Sequence, residues 1–228
     1  TFQYKCTFPD SDYWLGDAFI EARKKANDLL LNAHQKPRVS IIIPFYNRPE
    51  YVTDQFLEGL NDLNVHSSAL EIIFVDDGST DTTLRVLRDS VGKLRFSAKV
   101  YTQKNGGPAS ARNLGIRKAV GEYIYFTDSD VLRPKYWLNE HLMPFFLKPE
   151  IALAGGSQRN PNPKTKADHW RNGLVESVRK FSITNNIMSV PFDTASMCIK
   201  RGALEKMGLL YFDEKYKYIL PFYSYSKR

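Results

Sequence analysis

VSIIIPFYNR, residues 39–48, opens on a β-branched run that stops at Pro44. The run over 39–43 is too short for a helix and apolar on both faces, as a strand is in the middle of a parallel sheet. Outward from it the pattern recurs. Strands are predicted at 71–75 after a helical stretch over 51–63, at 97–101 after a helical 82–87, and at 123–126 after a helix that opens near Pro108. A fifth, 151–154, follows an aromatic helix over 136–146. Strand and helix alternating at this spacing predict an α/β fold: a doubly wound, mainly parallel sheet flanked by helices.

The flanks differ. Over 14–31 the apolar residues, among them Trp14, Ala18, Ala22, Ala26 and Leu30, recur at three- and four-residue spacing, which predicts an amphipathic helix. This places an N-terminal helical extension at 1–37 ahead of the main domain at 38–228. Asn, Pro, Lys and Thr over 161–168 predict a surface loop. A helix over 170–181, a strand over 195–199 and a short helix over 202–207 are expected after it. The ending, 216–228, shows no clear period.

Composition sets bounds. A chain of 228 residues with 43% hydrophobic and 25% charged residues supports one globular core, or one with an extra flank, and lies far from the composition of a disordered tail. A formal charge of +7 makes an anionic partner such as a nucleoside diphosphate or a phospholipid surface electrostatically plausible, although short basic runs such as Arg23-Lys24-Lys25 are usually solvated faces. That balance is all that speaks for nucleic acid, so no specific nucleic-acid partner is expected. Cys6 and Cys198 are too far apart in sequence for a zinc site and too few for a disulfide framework. The longest apolar runs fall far short of a membrane span, and no signal-like stretch follows Thr1. These features read as a soluble piece cut from a longer protein.

In doubly wound sheets ligands lie beyond the carboxyl ends of the strands. Those ends are polar here: Tyr46-Asn47-Arg48, Asp76-Asp77-Gly78-Ser79 and Thr127-Asp128-Ser129-Asp130. Asp128 and Asp130, separated by one residue, offer the hard oxygen ligands that suit Mg²⁺ or Mn²⁺. The same pair could instead form an Asx turn before Pro134. Asp76-Asp77 leads into a tight turn with a helix cap expected at Thr80. A carboxylate there can cap, or accept from ribose hydroxyls or the N3–H of uracil. Gly106-Gly107-Pro108 opens a helix whose amides can face an anion, and Arg112 and Asn113 lie within two turns of it.

The stretches VSIIIPFYNRPEY, EIIFVDDGSTDTT, KNGGPASARNLGIRKAVGEYIYFTDSD and FDTASMCIKRGALEKMG resemble, in order and spacing, the inverting family-two glycosyltransferases of the GT-A fold, a Rossmann-like α/β fold. The resemblance runs from Val39 to about Asp213. It implies a donor site in which Pro44, Tyr46 and Asn47 line the base and ribose, and Asp76 or Asp77 holds the uracil or ribose. Arg112 would contact base or phosphate, Asp128 and Asp130 would bind ribose and metal, and Gly155-Gly156 would lie near the donor sugar or acceptor. The implied chemistry is metal-dependent transfer of a hexosyl unit from a UDP-sugar, with Mn²⁺ or Mg²⁺, to a hydroxyl of a glycan, lipid or protein, as in polysaccharide biosynthesis. An acceptor hydroxyl, deprotonated by a carboxylate, would displace the diphosphate with inversion. The family also suggests a cytoplasmic enzyme beside a membrane, while a lumenal domain of a secretory-pathway enzyme fits the same residues.

One feature departs from the family pattern. Phe212-Asp213-Glu214 leads into Lys215-Tyr216-Lys217 and not to the acidic pair that carries the general base. Truncation at the C-terminus, omitted residues and a lost base all fit, the last giving a pseudoenzyme that binds nucleotide sugar without transferring it. Asp193, just before Thr194 and Ala195, is the candidate for a substitute base, although an Asp before a strand is more often a turn residue. A receiver module, phosphorylated at an acidic strand end, is the rival from another class. Against it stand a chain about twice a receiver's length and an Asp-Ser-Asp without a role there. Dinucleotide and phosphate-loop motifs are missing.

Overall fold

The computed structural model describes residues 17–131, 133–155, 164–166, 194–206 and 212–214. The helix expected over 170–181, the run over 216–228, Gly156 and the candidate base Asp193 lie outside the described residues.

Six strands form one sheet: β1 (Val39–Phe45), β2 (Leu70–Asp76), β3 (Ser97–Thr102), β4 (Tyr123–Thr127), β5 (Leu153–Gly155) and β6 (Ser196–Lys200), in the order β3-β2-β1-β4-β6-β5. β1 is central and pairs in parallel with β2 and β4; β2 pairs in parallel with β3. The predicted alternation therefore holds through β4. Beyond it the order differs from the chain order, because β6 runs antiparallel between β4 and β5.

β1, β2 and β4 are buried on both faces because both are covered, whereas the edge strand β3 is partly exposed. Ile41, Ile43, Ile72, Phe74 and Tyr125 pack toward one side with α1 (Asp17–Leu31), α2 (Asp54–Asn61) and α5 (Trp137–Leu147). On that side α3 (Thr83–Ser90) adds Leu87. Ile42, Ile73, Val75, Ile124 and Phe126 pack toward the other with α4 (Pro108–Lys118) and α6 (Arg201–Lys206). Each such side chain contributes roughly 1.5–3 kcal/mol when fully buried. α4 lies close on β1 because Gly115 has no side chain: a Cβ there would sit 2.4 Å from Ile42 Cγ2.

The strands also carry two buried polar groups with their partners. Ser40 Oγ donates to Glu71 Oε1 at 2.6 Å, the same oxygen accepts Val120 N at 2.7 Å, and Ser40 Oγ accepts Gly121 N at 2.8 Å. This pins the start of β4 to the central strands. α1 buries Ala22, Ala26 and Leu30, the register its spacing predicts, and Asn139 of α5 donates to its Asn27 Oδ1 at 2.7 Å. Among the described residues no helix is long and apolar enough to cross a membrane.

Candidate functional site

The parallel register sets Phe45 beside Asp76 and Ile42 beside Phe126, so the loops after β1, β2 and β4 leave the same edge of the sheet. Asp77 N donates to Phe45 O at 2.8 Å and Gln103 N to Asp76 O at 3.0 Å, which extends the sheet bonding one residue into the loops. Asn47 turns the chain there in a left-handed conformation, φ 50°, which Asn tolerates better than most residues. Its N–H donates to Ser79 Oγ at 3.0 Å and its Oδ1 accepts Thr80 N at 2.8 Å, tying the first loop to the second. Thr80 thus donates to Asn47, and the side-chain bonds expected from a cap there fall to Asp81, which accepts Thr83 N at 2.8 Å. Tyr46, 47% exposed, stands on the outer side of this turn, and Pro44 is half-buried at its foot.

The two acids after β2 are both buried and do different work. Asp77 Oδ1 accepts Gln103 Nε2 at 2.7 Å and Gly106 N at 3.0 Å, and Oδ2 accepts Gly107 N at 2.8 Å. The anion that the glycine turn faces is thus the protein's own carboxylate, placed where the helix dipole favours it. Asp76 is less saturated. Thr102 Oγ1 donates to its Oδ2 at 2.9 Å, and Ser79 N approaches its two oxygens at 3.3 and 3.4 Å.

Arg112 turns from the N-terminus of α4 to the acidic turn after β4. Its Nη2 donates to Asp128 Oδ1 at 2.6 Å, with the guanidinium side chain 4% exposed and the carboxylate 32%. A buried cation therefore holds a carboxylate that still reaches solvent. Asp130 lies two residues on and is exposed.

Behind the turn sits a group that residue patterns did not single out. Arg133 is buried, donates from Nη2 to Asp128 O at 2.7 Å and from Nε to Thr127 Oγ1 at 3.2 Å, and its guanidinium carbon stands 5.3 Å from the Phe56 ring centre. Burial pushes its pKa down to about 10, against the opposing pull of Asp128 and Asp130, so it stays charged at neutral pH. A single Arg before a proline reads as surface in sequence; only the fold of the loop buries it. A second wall is neutral. Ser196, paired with Thr127, meets Trp137 Nε1 at 3.4 Å and His141 Nε2 at 3.1 Å, and burial pushes the His141 pKa down to about 4.

Asn113, next to Arg112, points elsewhere than at a ligand. Its Nδ2 donates to Phe212 O at 2.8 Å and Glu214 Oε1 at 2.9 Å, and its Oδ1 accepts Phe212 N at 3.2 Å. Two shallow grooves, about 460 and 400 Å³, open at the opposite edge, around Asn64 and Arg95 and around Arg38 and Arg201, away from these acids.

Crossing loops, a sealed helix N-terminus and an acidic turn at one sheet edge define an α/β protein with its polar groups gathered beyond the carboxyl ends of its parallel strands. Residues 40–208 match the model of glycosyl transferase family 2, and the chain belongs to that family, with its GT-A fold. This displaces the receiver alternative. An uncharacterized glycosyltransferase of Haemophilus influenzae is 40% identical over 121 residues, 53% of this chain and 47% of its own length. The chain spans less than half the length of the curated relatives it matches. The solved mannosyltransferase PcManGT from Pyrobaculum calidifontis, in complex with GDP-Man and Mn²⁺, superposes with a TM-score of 0.59 at 22% identity over 84% of this chain and 54% of that one. Staphylococcus aureus TarS 1–349 in complex with UDP superposes at 0.52, with 23% identity over 79% and 51%. Both show the same fold.

Proposed function

We propose that this chain binds a nucleoside-diphosphate sugar, with UDP as the nucleotide, at the crevice bounded by Tyr46, Asp76 and Asp128, and passes the sugar to an acceptor hydroxyl with inversion. The observation that carries the reading is the Arg112–Asp128 pair: a buried guanidinium holding a part-exposed carboxylate beside the loops after β1 and β2. Relatives named as glycosyltransferases and fold neighbours solved with UDP and with GDP-Man support it.

Asp128 and Asp130 fit a divalent cation by donor type. Among the described residues no group of three or more acidic, His or Cys side chains gathers, and Mg²⁺-like ions need only one or two carboxylates when phosphate oxygens and water complete the shell. Mn²⁺ or Mg²⁺ held there would offset charge on the departing diphosphate. The protein's own part is positional. Arg112 and Arg133 fix the acidic turn from two sides, Asp76 has acceptor capacity left for a ribose or uracil donor, and Asp77 keeps α4 in place. Pro44, Tyr46 and Asn47 shape the base end. Asp193, shortly before β6, takes the acceptor proton in this scheme. The acceptor is a hydroxyl of a glycan, lipid or protein, and the basic chain works beside a membrane surface.

Calorimetric titration with UDP and GDP, each with and without Mn²⁺, tests this. UDP is expected to bind more tightly with Mn²⁺, and Asp130→Ala to remove that gain while the far-UV circular dichroism stays unchanged. Failure of every nucleoside diphosphate to bind defeats the reading. Turnover with a UDP-sugar then separates a transferase from a binding-only protein.

A further inference from the structure

The contacts of Asn113 have no counterpart elsewhere in the site. It is fully buried, yet its carboxamide reaches only a segment 99 to 101 residues further along the chain. Both main-chain groups of Phe212 are bound to it, so this amide ties the Phe212 backbone, and with it the ring, to α4. That ring meets Phe126 edge-on, centroids 5.2 Å apart at 83°, and lies 5.7 Å from the Arg112 guanidinium carbon. Arg112 is thereby covered: its Nε is buried and, among the described residues, without an acceptor. A guanidinium with an unmade hydrogen bond gains from leaving for water unless something closes it in. Phe212 closes it in, and a cation lies well against an aromatic ring.

We infer that Asn113 is a positioning residue: acting through Phe212, it latches the 212–214 segment over α4 and so keeps Arg112 on Asp128. The consequence for binding rests on the donor-site reading above; the latch itself does not. Glu214 makes the latch directional. Asn113 Nδ2 donates to Glu214 Oε1, so an Asp at 113 would set two carboxylates against each other and offer no donor to Phe212 O. Adding Gln at 214 restores the 113–214 hydrogen bond with its polarity reversed, and the original net charge, while Phe212 O stays without its donor.

The test has two arms. The first observes the ¹⁵N–¹H signal of Arg112 Nε at pH 6.5, assigned by its loss in Arg112→Lys. Shielded by Phe212, it is expected to persist in the unaltered chain, to vanish by exchange with water in Asn113→Asp and in Phe212→Leu, and to return in part when Glu214→Gln is added to Asn113→Asp. Should Asn113→Asp not fold, Phe212→Leu decides. A signal that persists in Phe212→Leu or in Asn113→Asp overturns the latch, and a double variant with no recovery overturns the part given to Glu214. The second arm measures Kd for UDP with Mn²⁺, expected to weaken at least tenfold in Asn113→Asp and to recover in part in the double variant. An unchanged Kd overturns the link to binding. Absence of binding in the unaltered chain defeats the donor-site reading, while the first arm still judges the latch.

Discussion

Asp77→Asn isolates the contact that joins the second strand to α4. The change is nearly isosteric. Oδ1 keeps Gln103 and Gly106, but an amide NH₂ replaces Oδ2 and faces the Gly107 N–H, donor against donor, at a position 2.8 Å away and buried. Leaving that N–H unsatisfied costs about 1–3 kcal/mol, and losing the negative charge at the helix N-terminus costs about 0.3–1 kcal/mol more. A loss of about 2–3 kcal/mol should lower Tm by roughly 4–12 °C in a chain of this length. Flipping the amide does not rescue it, because its NH₂ then meets Gln103 Nε2 and Gly106 N. Differential scanning calorimetry measures the loss, and UDP titration below the transition should show weaker binding, since α4 carries Arg112. A variant melting within about 1 °C of the parent would mean that the carboxylate is not what seals α4, and the account of this edge would be wrong.

Gly115→Ala sets two effects against each other. Helix propensity favours Ala by about 1 kcal/mol, whereas a Cβ 2.4 Å from Ile42 Cγ2 overpacks the sheet at about 1–3 kcal/mol. Urea unfolding should show net destabilisation; a stabilised variant would show that α4 does not press on β1 as described. Glu140 gives a pH dependence. Its Oε2 is buried without a partner among the described residues, and burial raises its pKa from 4.5 to about 7, with Arg23 opposing. The folded state therefore holds the proton longer than the unfolded one. The stability this supplies is complete below about 4.5 and is lost as pH rises through about 7. Glu140→Gln should be more stable than the parent by about 1–2 kcal/mol at pH 8, after allowance for partial exposure, and the gap should close toward pH 4.5. A gap that does not change with pH would exclude this carboxyl as the cause.

Residues 39–43 and 71–75 announce buried parallel strands because a short continuous apolar run fits a strand covered on both faces, and the polar residues that follow them then leave from one sheet edge. The polar strand ends, the glycine turn into α4 and the Asp128-Ser129-Asp130 turn were legible for that reason. What the sequence left open was which of these groups engage one another. Asp77 meets Gly106 and Gly107 across 29 and 30 residues, Arg112 meets Asp128 across 16, and Asn113 meets Phe212 across 99. β6 enters between β4 and β5 in the reverse direction, although chain order would set β5 beside β4. Such partners are chosen by how helices and strands pack. A hydrogen bond is directional over a few tenths of an ångström, and no period in a linear chain encodes that distance.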